Sequence, residues 1–167
     1  MGEKLTKSDI EKIEKEIEHR KLVVRKEAIE AVKEARSHGD LSENFEYYAA
    51  KKDKNINESR IRYLEKMLRY AKTIDDSSKK DEVGINNTVE VFFPEDNETE
   101  TYRLVTSIRG NSMKGLISIE SPLGKALIGS KVNDKVYVKI SKDYGYYIEI
   151  KKITNTKKDD KDRIRGY

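Results

Sequence analysis

The run Glu34-Ala35-Arg36-Ser37-His38-Gly39-Asp40-Leu41-Ser42-Glu43-Asn44-Phe45 stands between two stretches of helical grammar, and its Gly39 is the sole glycine or proline between Lys4 and Val83. Upstream, Ser8-Asp9-Ile10-Glu11 reads as a capping box, with Ser8 accepting from the Glu11 amide while Glu11 reaches back, so a helix is expected to start there. Apolar residues then recur at Ile10, Ile13, Ile17, Val24, Ala28, Ala31 or Val32, and Ala35, with polar gaps near Arg20. Downstream, Ala49, Ile56, Tyr63 and Tyr70 repeat every seven residues, and Arg60, Met67 and Ile74 fill the other seam positions. Both stripes are narrow, like the seam of a coiled coil. Two seams joined by one glycine turn predict an antiparallel helical hairpin with the quoted run at its tip. Arms of about 30 residues at 1.5 Å per residue extend roughly 45 Å.

Beyond Val83 the period changes. Asn87–Phe93, Thr101–Val105, Gly115–Ile119, Lys135–Ile140 and Tyr146–Ile150 alternate as short strands. Between the third and fourth, Ser121-Pro122-Leu123-Gly124-Lys125-Ala126-Leu127-Ile128-Gly129 offers a cap, a proline at the first helical position and a closing glycine, the marks of one short helix. The divisions expected are a hairpin over 1–76, a linker over 77–86, a β domain over 87–155 and a charged, disordered tail over 156–167.

Composition narrows the function. Charged residues are 40% of the 167 and hydrophobic ones 35%, which argues against one large core. The net charge of +4 comes from interleaved signs, so no general nucleic-acid coat is indicated. With no cysteine, disulfides, thiol nucleophiles and Cys-based zinc sites are excluded. No apolar run approaches the ~18 residues of a membrane span, and a cytoplasmic monomer with no membrane partner is the expectation.

Chemistry concentrates at the tip. Asp40 and Glu43 are three apart, and Asp-x-x-Glu opening a helix is itself a capping box with Asp40 at the cap, the commoner meaning of such a motif. Placement adds a second meaning, because carboxylates at the end of a long rod are suited to delivering charge into a narrow channel of another molecule. Such a pair can hold Mg²⁺ only in part, since the ion takes about six oxygens, so the remaining ligands must come from a partner and its substrate. Arg36, Lys51, Lys52 and Lys54 lie just behind; they read either as a coiled-coil flank pairing with Glu34, Glu46 and Asp53 or as a basic patch for phosphate. His19 and His38 lack a helical partner at i+4, which argues against a histidine metal site.

The string from Glu34 through Phe45 to Glu46-Tyr47-Tyr48-Ala49-Ala50-Lys51 closely resembles the tip signature of the Gre transcript cleavage factors, and Ser121–Gly129 with Val132-Asn133-Asp134 resembles the family's C-terminal signature. The resemblance spans roughly 5–153, and Tyr47-Tyr48-Ala49-Ala50 favours the GreA subgroup. It implies an α+β fold: an N-terminal antiparallel α-helical coiled-coil hairpin followed by an FKBP-like antiparallel β domain with one short helix. It further implies that the hairpin enters the RNA polymerase secondary channel while the β domain docks at its rim. There Asp40 and Glu43 help hold a catalytic Mg²⁺ and a water shared with the polymerase, Ser42 and Asn44 orient these groups, and Arg36, Lys51 and Lys52 guide the nascent RNA 3′ end. Backtracked RNA is then cut by the polymerase, the chain acting as accessory factor and binding no Mg²⁺ tightly alone.

The sequence departs from the family at Phe45, where a small residue is common, at Asn133, where glycine is frequent, in lacking a proline midway along the first helix, and in the tail after Ile153. Rival functions are a channel-binding protein that inhibits without cleavage, a peptidyl-prolyl isomerase and a free-standing nuclease. The first is expected to lose Asp-x-x-Glu, which this chain keeps; for the second no aromatic proline pocket is legible; the third would cut RNA with no polymerase present.

Overall fold

Apolar side chains in steps of three and four give a helix one face to bury, and in the computed structural model, which describes residues 2–40, 44–155 and 162–166, two such faces meet. The first arm is α1 (Lys7–His19), a π-helical turn (Arg20–Val24) and α2 (Arg25–Ser37); the second is α3 (Phe45–Tyr70). These make up a unit over Asp9–Ala71, separate from one formed by Glu3–Ser8 with Lys72–Gly166. Helix α1 starts before Ser8, which therefore does not cap it; Thr6 precedes the first helical residue, and Thr6 and Asp9 are buried where Ser8 and Glu11 are not.

The polar gap near Arg20 has a structural cause. Within the π-helical turn the Arg25 amide donates to the Arg20 carbonyl, five residues back, so one extra residue is accommodated in the first arm. That carbonyl also accepts from Asn57 Nδ2 at 3.2 Å, and Arg20 Nη1 donates to Asn57 Oδ1 at 3.0 Å. Arg20 Nε meets Glu16 at 2.7 Å, while Arg60 forks onto the same carboxylate at 2.9 and 3.3 Å. Arg25 forks onto Glu58 at 2.7 and 2.9 Å, further along the hairpin.

This layer moves the second seam. Arg60 and Met67 are buried as expected, but Ile56 and Tyr70 are 51% and 58% exposed, and the inward residues are Tyr47, Asn57, Ile61 and Leu64. The heptad through Ile56 was chosen for its apolar members, whereas the true seam carries a buried asparagine held by the opposite backbone.

In the other unit, β3 (Thr88–Phe93), β4 (Glu98–Val105), β5 (Leu116–Ser118), β6 (Lys135–Lys139) and β7 (Gly145–Thr154) form a sheet in the order β5-β4-β3-β7-β6. The pairings are antiparallel except β4 with β5, which is parallel. Its core gathers Val89, Val91, Leu104, Val138, Ile148 and Ile150 with Leu127 of the one short helix, α4 (Pro122–Leu127). Ser121 caps α4 by accepting from the Gly124 amide at 3.0 Å, and a Cβ at Gly124 would collide with the Ser118 carbonyl. Asn133, where the family favours glycine, has φ of 73°, a left-handed conformation that asparagine tolerates.

Three expected boundaries change. Residues Lys4–Leu5 (β1) pair in parallel with Lys72–Thr73 (β2), so the ends of the segment read as hairpin belong with the sheet unit. Within the segment read as a linker, Val83, Gly84, Ile85 and Asn86 are buried, and Val83 exchanges backbone hydrogen bonds of 2.8 Å with Gly129 and Ser130. Of the segment read as a disordered tail, 156–161 and Tyr167 lie outside the described residues, but Asp162 is held by Arg103 and Arg109. Charge alone misread it, because acidic residues near buried arginines are ordered by them. Among the described residues no helix is long and apolar enough to cross a membrane.

Burial pushes the Glu16 carboxyl up, but hydrogen bonds and charge from Arg60 and Arg20 outweigh it and hold the group below the usual glutamate range. A depressed carboxyl stabilises the fold above its unfolded value and stops doing so as pH falls through the folded one. Glu16→Gln is therefore expected to remove about 2–3 kcal/mol at neutral pH by taking away the negative charge that Arg20 and Arg60 share. It should also flatten the loss of hairpin stability below pH ~4.3, the usual glutamate value. Urea unfolding followed by helical circular dichroism at several pH values measures both.

Candidate functional site

Helix α2 stops at Ser37 because the chain turns back on its last carbonyls: the His38 amide donates to Ala35 at 3.2 Å and Ser37 Oγ to Glu34 at 2.5 Å. Gly39 has φ of 138°, and a Cβ there would meet nothing within 4 Å, so backbone conformation and not crowding demands glycine. Asp40 follows, exposed to solvent. Ser42 and Glu43, expected beside it, lie outside the described residues, as does Leu41.

The capping reading of Asp40 is corrected by Asn44. Helix α3 begins at Phe45, and its cap is Asn44, whose side-chain oxygen accepts from the Tyr47 amide at 3.1 Å. The same side chain donates through Nδ2 to the Ala35 carbonyl at 2.5 Å, tying the end of one helix to the start of the other. Asn44 thus ties the end of α2 to the start of α3, and it is Asn44, not Asp40, that stands at the cap of α3. His38, Gly39, Asp40, Asn44, Phe45 and Glu46 line one open cleft there. Phe45 is 84% exposed in it, so the bulky residue at this departure from the family does not enter the seam.

The basic residues divide. Arg36 lies over the Tyr47 ring at 5.5 Å from its centroid. Hydrogen bonding from Arg36 lowers the Tyr47 hydroxyl from the usual tyrosine range against the effect of burial, and the charges of Lys51, Arg36 and Lys54 lower it further. Those three cations therefore share one local field. Lys52 is exposed and lines a groove with Tyr48, Lys51, Asn55, Ile56 and Ser59.

Sequence reading missed Tyr47 as the organiser of the cations, and it missed the pair formed by His38 Nδ1 and Glu46 Oε2 at 2.9 Å. Spacing carries no signal for Arg36 with Tyr47 or for His38 with Glu46, since each joins residues on opposite sides of the loop, whereas Lys51 and Lys54 follow Tyr47 at helical spacing on α3. The hydrogen bond to Glu46, with the charges of Glu46 and Glu34, raises His38 above the usual histidine value against the effect of burial. A raised histidine contributes fully below its unfolded value of ~6.5 and loses that contribution as pH rises through the folded value. Proton NMR titration should place the His38 midpoint above that value, and Glu46→Gln should return it to about 6.5.

Residues 3–73 match the family described as "Transcription elongation factor, N-terminal", and 78–155 match "Transcription elongation factor, GreA/GreB, C-term". A relative named Transcription elongation factor GreA from Streptococcus gordonii is 44% identical, covering 92% of this chain and 96% of its own. One of the same name from Macrococcus caseolyticus is 46% identical over 80% of this chain and 85% of its own. The solved structure titled "Structure of the transcription factor Gfh1" is 26% identical, covers 92% of this chain and 97% of that one, and has a TM-score of 0.46. Family matches over both units, with relatives above two-fifths identity along most of the chain, show that this protein belongs to the GreA/GreB family of transcription elongation factors.

Proposed function

We propose that the helical hairpin enters the secondary channel of RNA polymerase and that Asp40 and Glu43 complete a Mg²⁺ site there for hydrolytic cleavage of backtracked RNA. The observation that carries this reading is the exposure of Asp40 to solvent between the end of α2 and the Asn44 cap of α3. Asn44 accepts from the Tyr47 amide and donates to the Ala35 carbonyl, so the two helix ends that flank Asp40 are tied together.

The donor set suits the ion. Carboxylate oxygens are the hard ligands Mg²⁺ takes, and two of them leave most of its roughly six positions for polymerase carboxylates, water and RNA phosphate. When bound, the metal supplies Lewis-acid stabilisation of the scissile phosphate and a more acidic water. The chain's own part is to present Asp40 and Glu43 as ligands, to keep the loop closed through Asn44, and to offer Arg36, Lys51 and Lys54 to the displaced RNA phosphates. Ser42 orients the attacking water. The chemistry remains the polymerase's, and the protein is an accessory factor with no nuclease activity of its own.

The test is a stalled elongation complex carrying end-labelled, backtracked RNA. The full chain should shorten the RNA, and neither the chain nor Mg²⁺ should cut free RNA without polymerase. Asp40→Ala and Glu43→Ala should each reduce cleavage by about 100-fold or more, as when one charge-stabilising group leaves an active site, while competition binding to polymerase changes little. Undiminished cleavage by both variants would refute the metal-ligand role, and inhibition without cleavage by the unaltered chain would favour the inhibitor reading.

A further inference from the structure

In the sheet unit two arginines converge on an aspartate beyond the matched family region, which ends at 155. Asp162 accepts from Arg103 Nη1 through both oxygens, at 2.8 and 3.0 Å, and from Arg109 Nη1 at 2.8 Å. The side chains are almost removed from water: Arg103 is 15% exposed, Arg109 0% and Asp162 7%. Asn86 adds to the surroundings, its side-chain oxygen accepting from Arg109 Nη1 at 2.7 Å and its carbonyl from Arg103 Nε at 3.3 Å. Arg109 Nε also donates to Thr106 Oγ1 at 3.3 Å. A little further on, the Arg165 amide donates to the Ile108 carbonyl at 2.7 Å and its guanidinium lies 3.7 Å from Glu3.

A guanidinium withdrawn from water requires an anion, and two guanidiniums converging on one point form the usual recognition geometry for an oxyanion. Here the anion is donated by the far end of the same chain. We propose that Arg103 and Arg109 form an oxyanion site which Asp162 fills in cis, so that the C-terminal strap is a built-in ligand of the sheet unit. A small carboxylate or phosphate takes the place of the Asp162 carboxylate when that group is missing.

The experiment uses the full chain with Asp162→Ala. Thermal unfolding should fall by about 5–10 °C, the scale of losing a buried carboxylate that two arginines share in a domain of this size. Exchange of the Arg165 amide should quicken at least about tenfold as the strap detaches. Sodium formate or inorganic phosphate should then raise the variant's Tm saturably, beyond sodium chloride at equal ionic strength, and should do so far less for the unaltered chain. Formate acting alone would limit the site to carboxylates; phosphate acting alone would limit it to phosphates. An unchanged Tm, or equal stabilisation of both proteins by every salt, would overturn the proposal. Should Asp162→Ala fail to fold, the double variant Arg109→Met with Asp162→Ala decides. Recovery of folding with no response to formate or phosphate supports the site, and recovery with the formate response expected of Asp162→Ala alone refutes a role for Arg109 in it.

Discussion

The hydrogen-bonded layer of Glu16, Arg20, Asn57 and Arg60 decides which residue of one arm faces which of the other. An apolar seam alone tolerates sliding, since one small hydrophobic residue fits nearly as well as the next. A buried polar layer does not, because any other alignment strands an arginine or an asparagine away from its partner. Asn57 adds a further condition by bonding the Arg20 carbonyl within the π-helical turn. The alignment set there reaches the loop. Only with these residues opposed does Ala35 lie across from Asn44, and a slip of one helical turn, about 5.4 Å, would break that bond.

The loop divides its labour between neighbouring residues. Asn44 supplies the cap of α3 that a carboxylate commonly supplies, and Asp40 stands exposed ahead of it. Behind it, Arg36 lies over the Tyr47 ring, and the charges of Lys51 and Lys54 also act on the Tyr47 hydroxyl. Under the proposed role, acid leads and base follows, an order that fits metal first and RNA phosphate next. At physiological salt such fields extend only about 8 Å, so they act within the partner's channel and not at a distance.

Much of this was legible in the sequence because periodicity survives translation into structure. Gly39 marked the reversal, alternation marked the strands, and Ser121-Pro122 marked α4. What failed was the assignment of polar residues. Ile56 was expected in the seam, yet its neighbour Asn57 is the one buried, because a carbonyl on the other arm accepts from it. Asp40 looked like the cap of the second helix, since the motif permits it, but α3 starts later, at Phe45, with Asn44 accepting from the Tyr47 amide. Val83 and Ile85 looked like a linker's end because their strand-like neighbours are far away in sequence. Asp162 looked disordered because its partners, Arg103 and Arg109, precede it by the length of half a domain. Each error concerns a contact whose two sides share no local pattern.

The parallel pairing of β1 with β2 makes the helical hairpin an insertion: the chain enters the sheet unit, leaves for the whole hairpin, and returns beside its own starting strand. Joining two strands across so long an excursion is entropically expensive if the intervening chain is a flexible loop. The expense largely disappears if the helices close first, because an antiparallel hairpin brings its two ends together through contacts that are themselves local along the chain. The order of events in folding is thereby written into the connectivity. Leu5 and Thr73 can pair cheaply only after the hairpin has zipped, so the first strand of the chain is among the last to be fastened.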